Sequence, residues 1–376
     1  MLNLQFLSES VDRIISEPHM KSTRRTFLAQ AATTAAAGIA IPTILFGARP
    51  KVAETVVGHG GYRYRAVPNW GVLDASKNPV NDCHEMVQDA KGRIILLTNE
   101  TKNNVLIYDK SGKLLESWGN SYPGAHGLSL ANEGGEQFLF ISDTDRHQVI
   151  KTDLKGREIL KIDYPKETGV YAHPTQFKPT ETSINPANGD IYVSDGYGEN
   201  YITQYDKTGR YIRHWGGKGA DNGQFDCCHG ILVDTRKNQV AGIAGPTLLI
   251  TDRRHNCLKR FSMDGKYLST IALPGSYICR PVLHNDMIYG AVFRSTSDSY
   301  PDSGYVQILD KTNKVVSTPG GSEPIYKDNQ LQEQRKDREF APFLHPHDVL
   351  VDEDESLYVA QWNSKKTYPI KLMRVG

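Results

Sequence analysis

The chain has 376 residues, 39% of them hydrophobic and 23% charged, with 44 basic against 43 acidic side chains and a net charge of +1. A mean hydropathy of −0.48, with 33 glycines, 19 prolines and 19 tyrosines, describes a soluble, turn-rich globular protein and excludes a disordered or membrane-embedded one. The even charge balance excludes nucleic acid and an anionic membrane surface as expected partners.

In chain order, the first feature is the stretch from Ser22 to Leu28, STRRTFL, followed by QAATTAAAGIAIPTILFGA with no acidic residue between Arg24 and Ala53. A twin arginine ahead of a mildly apolar run is the pattern of a twin-arginine (Tat) export signal. Residues 1–50 are therefore read as a Tat-type signal or anchor, and residues 51–376 as the folded domain. Export by the Tat machinery to the periplasm or the extracellular side is expected, in a folded, metal-loaded state, with membrane attachment only through an uncleaved N-terminal segment. The five cysteines (Cys83, Cys227, Cys228, Cys257, Cys279) include no CxxC, which argues against a zinc knuckle. Adjacency makes a bridge between Cys227 and Cys228 improbable on geometric grounds.

From about residue 80 the chain repeats itself roughly every fifty residues. GRIILLTNETKNNVLIYDKSGKLLESWG from Gly92, EQFLFISDTDRHQVIKTDLKGREILKID from Glu136, GDIYVSDGYGENYITQYDKTGRYIRHWG from Gly189 and PTLLITDRRHNCLKRFSMDGKYLSTI from Pro246 share one plan, and degenerate copies begin at Met287 and Ser356. Alternation of apolar and polar residues with DxxG turns predicts antiparallel hairpins. Six such units predict an all-β fold, a six-bladed β-propeller. The last unit lacks an outer strand, which Tyr62 to Val67 (YRYRAV) can supply to close the ring.

Just ahead of the innermost strand of each unit a histidine recurs: His84 in CHEMVQD, His126 in AHGLSL, His229 in CCHGILVD and His347 in PHDVLVD. The other two units place Thr175 and Arg280 there. Blades radiate from one axis, so equivalent positions converge on it. Convergent neutral imidazoles suit zinc or a similar divalent transition metal; the plainer account is a set of repeat-consensus histidines bonded to nearby backbone. In the segment after an innermost strand, SDGYGEN sets Tyr197 between two glycines, a flexible backbone that can turn a phenol toward the axis, and TDRRHN sets Arg253 at the matching place of the next unit. Beside a cation a phenol can serve as a base, and an arginine can clamp a carboxylate; equally, both side chains can simply pack over the turn residues Asp195 and Asp252.

The ordered set AHGLSL, SDGYGENYITQYDKTGRYIRHWG, GQFDCCHGILV, TDRRHNCLKRF and HPHDVLV resembles the NHL-repeat lyase domain of peptidyl-α-hydroxyglycine α-amidating lyase. The resemblance implies zinc on His126, His229 and His347, with His84 a further candidate ligand. It implies Tyr197 and Arg253 as catalytic residues. It also implies a structural calcium in the channel, held by Asp348 and a backbone carbonyl at or near Leu128. The implied reaction cleaves a C-terminal α-hydroxyglycine of a peptide or related small molecule to an amide and glyoxylate. Three departures stand out. The first unit has NDCHEM where the family has a second arginine, so that either His84 or Arg280 compensates or the substrate differs; Gly198 replaces a family cysteine, so that disulfide is not expected; and the hydroxylated substrate is expected from an enzyme outside this chain.

Two other readings stay open: a non-catalytic propeller binding protein or glycan, with the metal as a staple, and a metal-assisted hydrolase of a lactone or sugar derivative. The polar excursions at Ser295–Ser303 and Glu323–Phe343 are read as covers for the channel mouth or as loops.

Overall fold

The computed structural model describes residues 55–295, 304–337 and 342–375; the segment read from the sequence as an export signal lies outside them, as does most of the excursion after Ser295. The described chain forms six antiparallel blades and one small hairpin. The first five blades have their innermost strands at Cys83–Gln88, Ala125–Glu133, Glu181–Ile184, Ile231–Asp234 and Ser276–His284, each followed in order by three more strands. The sixth combines Pro346–Val351, Leu357–Gln361 and Ile370–Arg374 with Tyr62–Val67 and Val56–His59.

The ring closes as the sequence predicts: Tyr62–Val67 pairs antiparallel with the last strand, Tyr64 opposite Arg374 and Val67 opposite Lys371. A further outer strand, Val56–His59, extends the blade. Tyr64 is fully buried against Val349, Leu372 and, from the fifth blade, Tyr289 and Val306. Tyr64→Ala is expected to cost about 3–5 kcal/mol, as aromatic-to-alanine changes in cores do, and to lower Tm by about 10 °C in a thermal melt. An unchanged melt would show that the closing strand carries none of the ring's stability.

The DxxG turns form because an aspartate carboxylate substitutes for a strand partner. Asp206 Oδ1 accepts the N–H groups of Thr208 and Arg210 at 2.9 and 3.0 Å, and Gly209 takes the left-handed φ of 83° that closes the loop. Asp109, Asp153 and Asp310 do the same. The turn glycines also make room for neighbours: a Cβ on Gly156 would meet the Trp118 ring of the preceding blade at 2.6 Å.

Between blades the apolar faces interlock. Ile95, Leu97 and Ile107 of the first blade pack on Leu128, Leu139 and Ile141 of the second, and comparable clusters fill the other gaps. The excursion after Glu323 contributes to one of them: Phe343 is buried beside Val349, and Tyr326–Lys327 pairs with Gln330–Leu331 in a short hairpin. All five cysteines are buried and unpaired.

The inner strands carry the feature that builds the site. Pairing slips between Cys83 and Glu85, between Ala125 and Gly127, and between Pro346 and Asp348, so His84, His126 and His347 are each the extra residue of a β-bulge. In the fifth blade the slip between Ile278 and Pro281 frees Cys279 and Arg280. A bulge breaks strict alternation and re-aims side chains. Two consecutive residues of an inner strand can then face the channel.

A candidate metal centre on the propeller axis

The four histidines do converge. Ring centroids lie 4.8 Å apart for His84–His126, His84–His347 and His126–His229, 4.7 Å for His126–His347 and 5.0 Å for His229–His347. All four are at most 5% exposed. His229 has no bulge behind it; Cys227, at a φ of 71° with its N–H bonded to Asn200 Oδ1 at 2.6 Å, turns the chain that delivers it.

Three of the four have their tautomer set by the next blade. Nδ1 of His126 lies 2.8 Å from the Thr180 carbonyl, Nδ1 of His229 3.1 Å from that of Cys279, and Nδ1 of His347 3.1 Å from that of His84. A carbonyl only accepts, so Nδ1 carries the proton and Nε2 keeps its lone pair. This is the outer support that metal-ligating histidines ordinarily have. Burial holds these three imidazoles well below the usual histidine range and pushes His84 down to about 3, so all are neutral.

The Nε2 atoms then outnumber the protons available to them. Tyr197 Oη lies 3.2 Å from Nε2 of His126 and 3.0 Å from Nε2 of His229, with one proton for the two. Nε2 of His347 is buried with no partner. Buried lone pairs left in this state are costly, and a divalent transition metal is the species that satisfies several at once. The donor types fit a zinc-type ion: His126, His229 and His347 are the three with preset tautomers, and donor atoms of His229, Cys279 and His347 lie within 4.8 Å of one another. His84 stands within reach, one nitrogen lying within 4.8 Å of donor atoms of His126 and His347. Its Nδ1 has no partner.

The same carbonyls reveal the true equivalents in the other two blades, which the sequence misplaces. Thr180, not Thr175, takes the ring position of the third blade; Thr175 lies in the short 3-10 turn Pro174–Gln176, ahead of buried Phe177. In the fifth blade the position belongs to Cys279, whose donor atom lies within 4.8 Å of those of His229 and His347. Burial pushes its thiol up to about 12, against the pull of Arg253.

Arg280, expected to act beside the histidines, has its guanidinium engaged by buried carboxylates. It lies one residue further along, in a layer formed by the residues after each ring position: Glu85, Glu181, Arg280 and Asp348. Its guanidinium bonds Asp348 through Nε at 2.7 Å and Nη2 at 2.9 Å, the Leu128 carbonyl at 3.0 Å and the Met86 carbonyl at 3.0 Å. Glu85 is 3.1 Å away and Glu181 3.4 Å. Asp348 and Leu128, the expected calcium ligands, therefore already hold a cation. Their oxygens are of the right kind for calcium, but with Arg280 among them the residues do not fit one.

Tyr197 and Arg253 are where the sequence places them. Tyr197 is 41% exposed, yet its hydroxyl sits over the imidazoles. Asp195 shapes its loop, accepting the N–H groups of Lys178 and Glu199 at 2.7 Å each and the Tyr171 hydroxyl at 2.9 Å. The flanking glycines serve close approach: a Cβ on Gly196 would meet the Cys228 carbonyl at 2.7 Å, and one on Gly198 the Gln176 carbonyl at 2.1 Å. A cysteine at position 198 therefore has no room. Arg253 Nη2 donates to Tyr197 Oη at 3.3 Å, and its guanidinium lies 5.4 Å from the Tyr197 ring and 4.8 Å from that of Phe293. Burial pushes the Tyr197 hydroxyl up to about 12, with Arg253 pulling the other way. Arg294 also lies near Phe293, at 5.6 Å, and over Tyr277 at 4.3 Å, its Nε buried without a partner.

No family model matches the chain. Mouse peptidyl-glycine α-amidating monooxygenase is 24% identical over 285 residues, covering 72% of this chain and 26% of that protein. Peptidyl-α-hydroxyglycine α-amidating lyase 1 of Drosophila melanogaster is 23% identical over 276 residues, 69% of this chain and 46% of that one. The chain resembles the amidating lyases. It spans about a quarter of the mouse protein's length, 26%. Among solved structures, virginiamycin B lyase from Staphylococcus aureus with quinupristin superposes with a TM-score of 0.51 at 12% identity, covering 84% of this chain and 100% of that one. That likeness is one of fold.

Proposed function

We propose that the protein is an exported, metal-dependent lyase of the amidating type, with zinc or a similar divalent transition metal on His126, His229 and His347. The substrate is an α-hydroxyglycine-type amide, a peptide C-terminus or a related small hydroxylated molecule. What carries this proposal is one observation: three buried histidines from different blades each give Nδ1–H to a carbonyl of the next blade, which leaves Nε2 of His347 without a partner and turns those of His126 and His229 to a tyrosine hydroxyl that an arginine also contacts.

The reaction needs no oxidant. The carbinol hydroxyl loses its proton, its C–O bond becomes the aldehyde of glyoxylate, the C–N bond breaks, and the amide nitrogen takes a proton. Tyr197, wedged between the substrate side and the imidazoles, is the group to take and return that proton. Arg253 is the group to hold the substrate carboxylate, and the Phe293 face keeps its guanidinium in place. When bound, the ion supplies positive charge that polarises the substrate oxygen and opposes the upward pull on the Tyr197 proton. Export by the twin-arginine route belongs to the same proposal and is supported by STRRTFL at Ser22 to Leu28.

The test is elemental analysis of the exported protein together with an assay of glyoxylate release from α-hydroxyglycine peptides. About one transition metal per chain and release that stops on chelation are expected. A chain that takes up no transition metal on reconstitution, or a loaded chain that releases no glyoxylate, overturns it.

A further inference from the structure

We infer that the Arg280 guanidinium is a built-in substitute for a divalent cation, stapling five blades together beneath the histidines and making the propeller independent of calcium. The geometry is complete in a way that chance ion pairs are not. A guanidinium has five N–H groups, and each finds an oxygen. Nε–H and one Nη2–H go to the two oxygens of Asp348 at 2.7 and 2.9 Å; the other Nη2–H goes to the Met86 carbonyl at 3.0 Å. Nη1 serves the Leu128 carbonyl at 3.0 Å and the carboxyl pair Glu85 and Glu181 at 3.1 and 3.4 Å.

These oxygens are carboxylates and main-chain carbonyls, the ligand types of a calcium site. They come from the first, second, third and sixth blades, and the cation comes from the fifth. The carboxyl side chains are at most 1% exposed, against 11% for Arg280. Taking such groups out of water is costly unless they are paired and hydrogen-bonded together. A calcium ion amid the same oxygens would have to stand beside the fixed positive charge, so the two cations exclude each other.

The staple also positions the site above it. Glu85 follows His84, Asp348 follows His347, and Leu128 is two residues from His126. Glu181 and Arg280 follow Thr180 and Cys279, whose carbonyls orient His126 and His229. Arg280 is in this sense a positioning residue. That second role rests on the metal-centre proposal; the exclusion of calcium does not.

The experiment uses the full domain, melted with and without millimolar calcium, in wild type, Arg280→Lys and Arg280→Ala. Wild type is expected to show no shift in Tm with calcium or with a calcium-selective chelator. Arg280→Ala is expected to lose about 10 °C, since it strips the partner from buried carboxylates, and to recover most of that loss in calcium. Arg280→Lys, with three donors in place of five, is expected to fall between them. The transition-metal affinity of Arg280→Ala should drop at least about tenfold, the order seen when outer supports of a metal site are removed, and return with calcium. Stoichiometric calcium retained by wild type, or an Arg280→Ala protein as stable as wild type without calcium, overturns the inference. So does an Arg280→Ala protein that calcium fails to restore, including one that refolds neither with calcium nor without it. Because the readouts are melting temperature and metal affinity, they stand whether or not glyoxylate is ever released.

Discussion

Tyr197→Phe is expected to reduce turnover of an α-hydroxyglycine substrate about 10²–10⁴-fold, the range for loss of a positioned proton-transfer group, while metal content stays at the wild-type level. Only the hydroxyl is removed. The ring's contacts with His126, His229 and Arg253, at 5.0, 5.4 and 5.4 Å between centres, remain. The hydroxyl itself is not a structural necessity, because His126 and His229 are already anchored through Nδ1. Its loss should therefore leave Tm and KM near wild type and fall on kcat, the pattern of an interaction made in the transition state. Steady-state kinetics on protein of measured metal content checks this. Unchanged turnover would remove Tyr197 from the chemistry and favour a propeller that binds rather than reacts.

His229→Ala is expected to lose both the metal and the activity, and His126→Ala the same. Each removes one of three Nε2 donors in a site where the donors come preset by backbone bonds. Loss of an outer-shell partner alone typically costs 10–100-fold in metal affinity, so loss of a ligand should exceed about 100-fold. His84→Ala is the informative contrast. His84 alone lacks a carbonyl for its Nδ1, so nothing presets its tautomer, and the variant is expected to keep about one metal per chain with weaker affinity. Mass-spectrometric metal analysis after dialysis separates these outcomes. Metal retained by both His229→Ala and His126→Ala would rule out the proposed centre, and metal lost by His84→Ala would make it a four-histidine site.

The blade plan was legible because its signals are local. Alternation such as YITQYD, the DxxG turns and their spacing depend on neighbours in the chain, and so does the recurrence of histidine at one place in four units. Even ring closure by Tyr62–Val67 was legible, since five outer strands were accounted for and one was missing. Thr180 was not. Nothing in the third unit marks the ring position, and the 3-10 turns at Lys166–Thr168 and Pro174–Gln176 lengthen the approach to its inner strand. The glycines around Tyr197 were legible as special, but for the wrong reason: packing against Cys228 and Gln176, rather than backbone freedom, excludes a Cβ there.

By itself, then, the sequence determined the six blades, the histidines that meet on their axis, and the tyrosine and arginine beside them, because repetition around an axis turns equal places in the chain into neighbours. Only the tertiary structure decided the two-layered channel: Cys279 among the histidines, with Arg280 below them holding Glu85, Glu181 and Asp348. The difference is one residue of register in an inner strand. Period-two counting assumes that successive side chains alternate, whereas the slips between Cys83 and Glu85, Ile278 and Pro281, and Pro346 and Asp348 turn consecutive residues to the same side. Those slips arise from hydrogen bonding between strands, which one-dimensional periodicity does not contain.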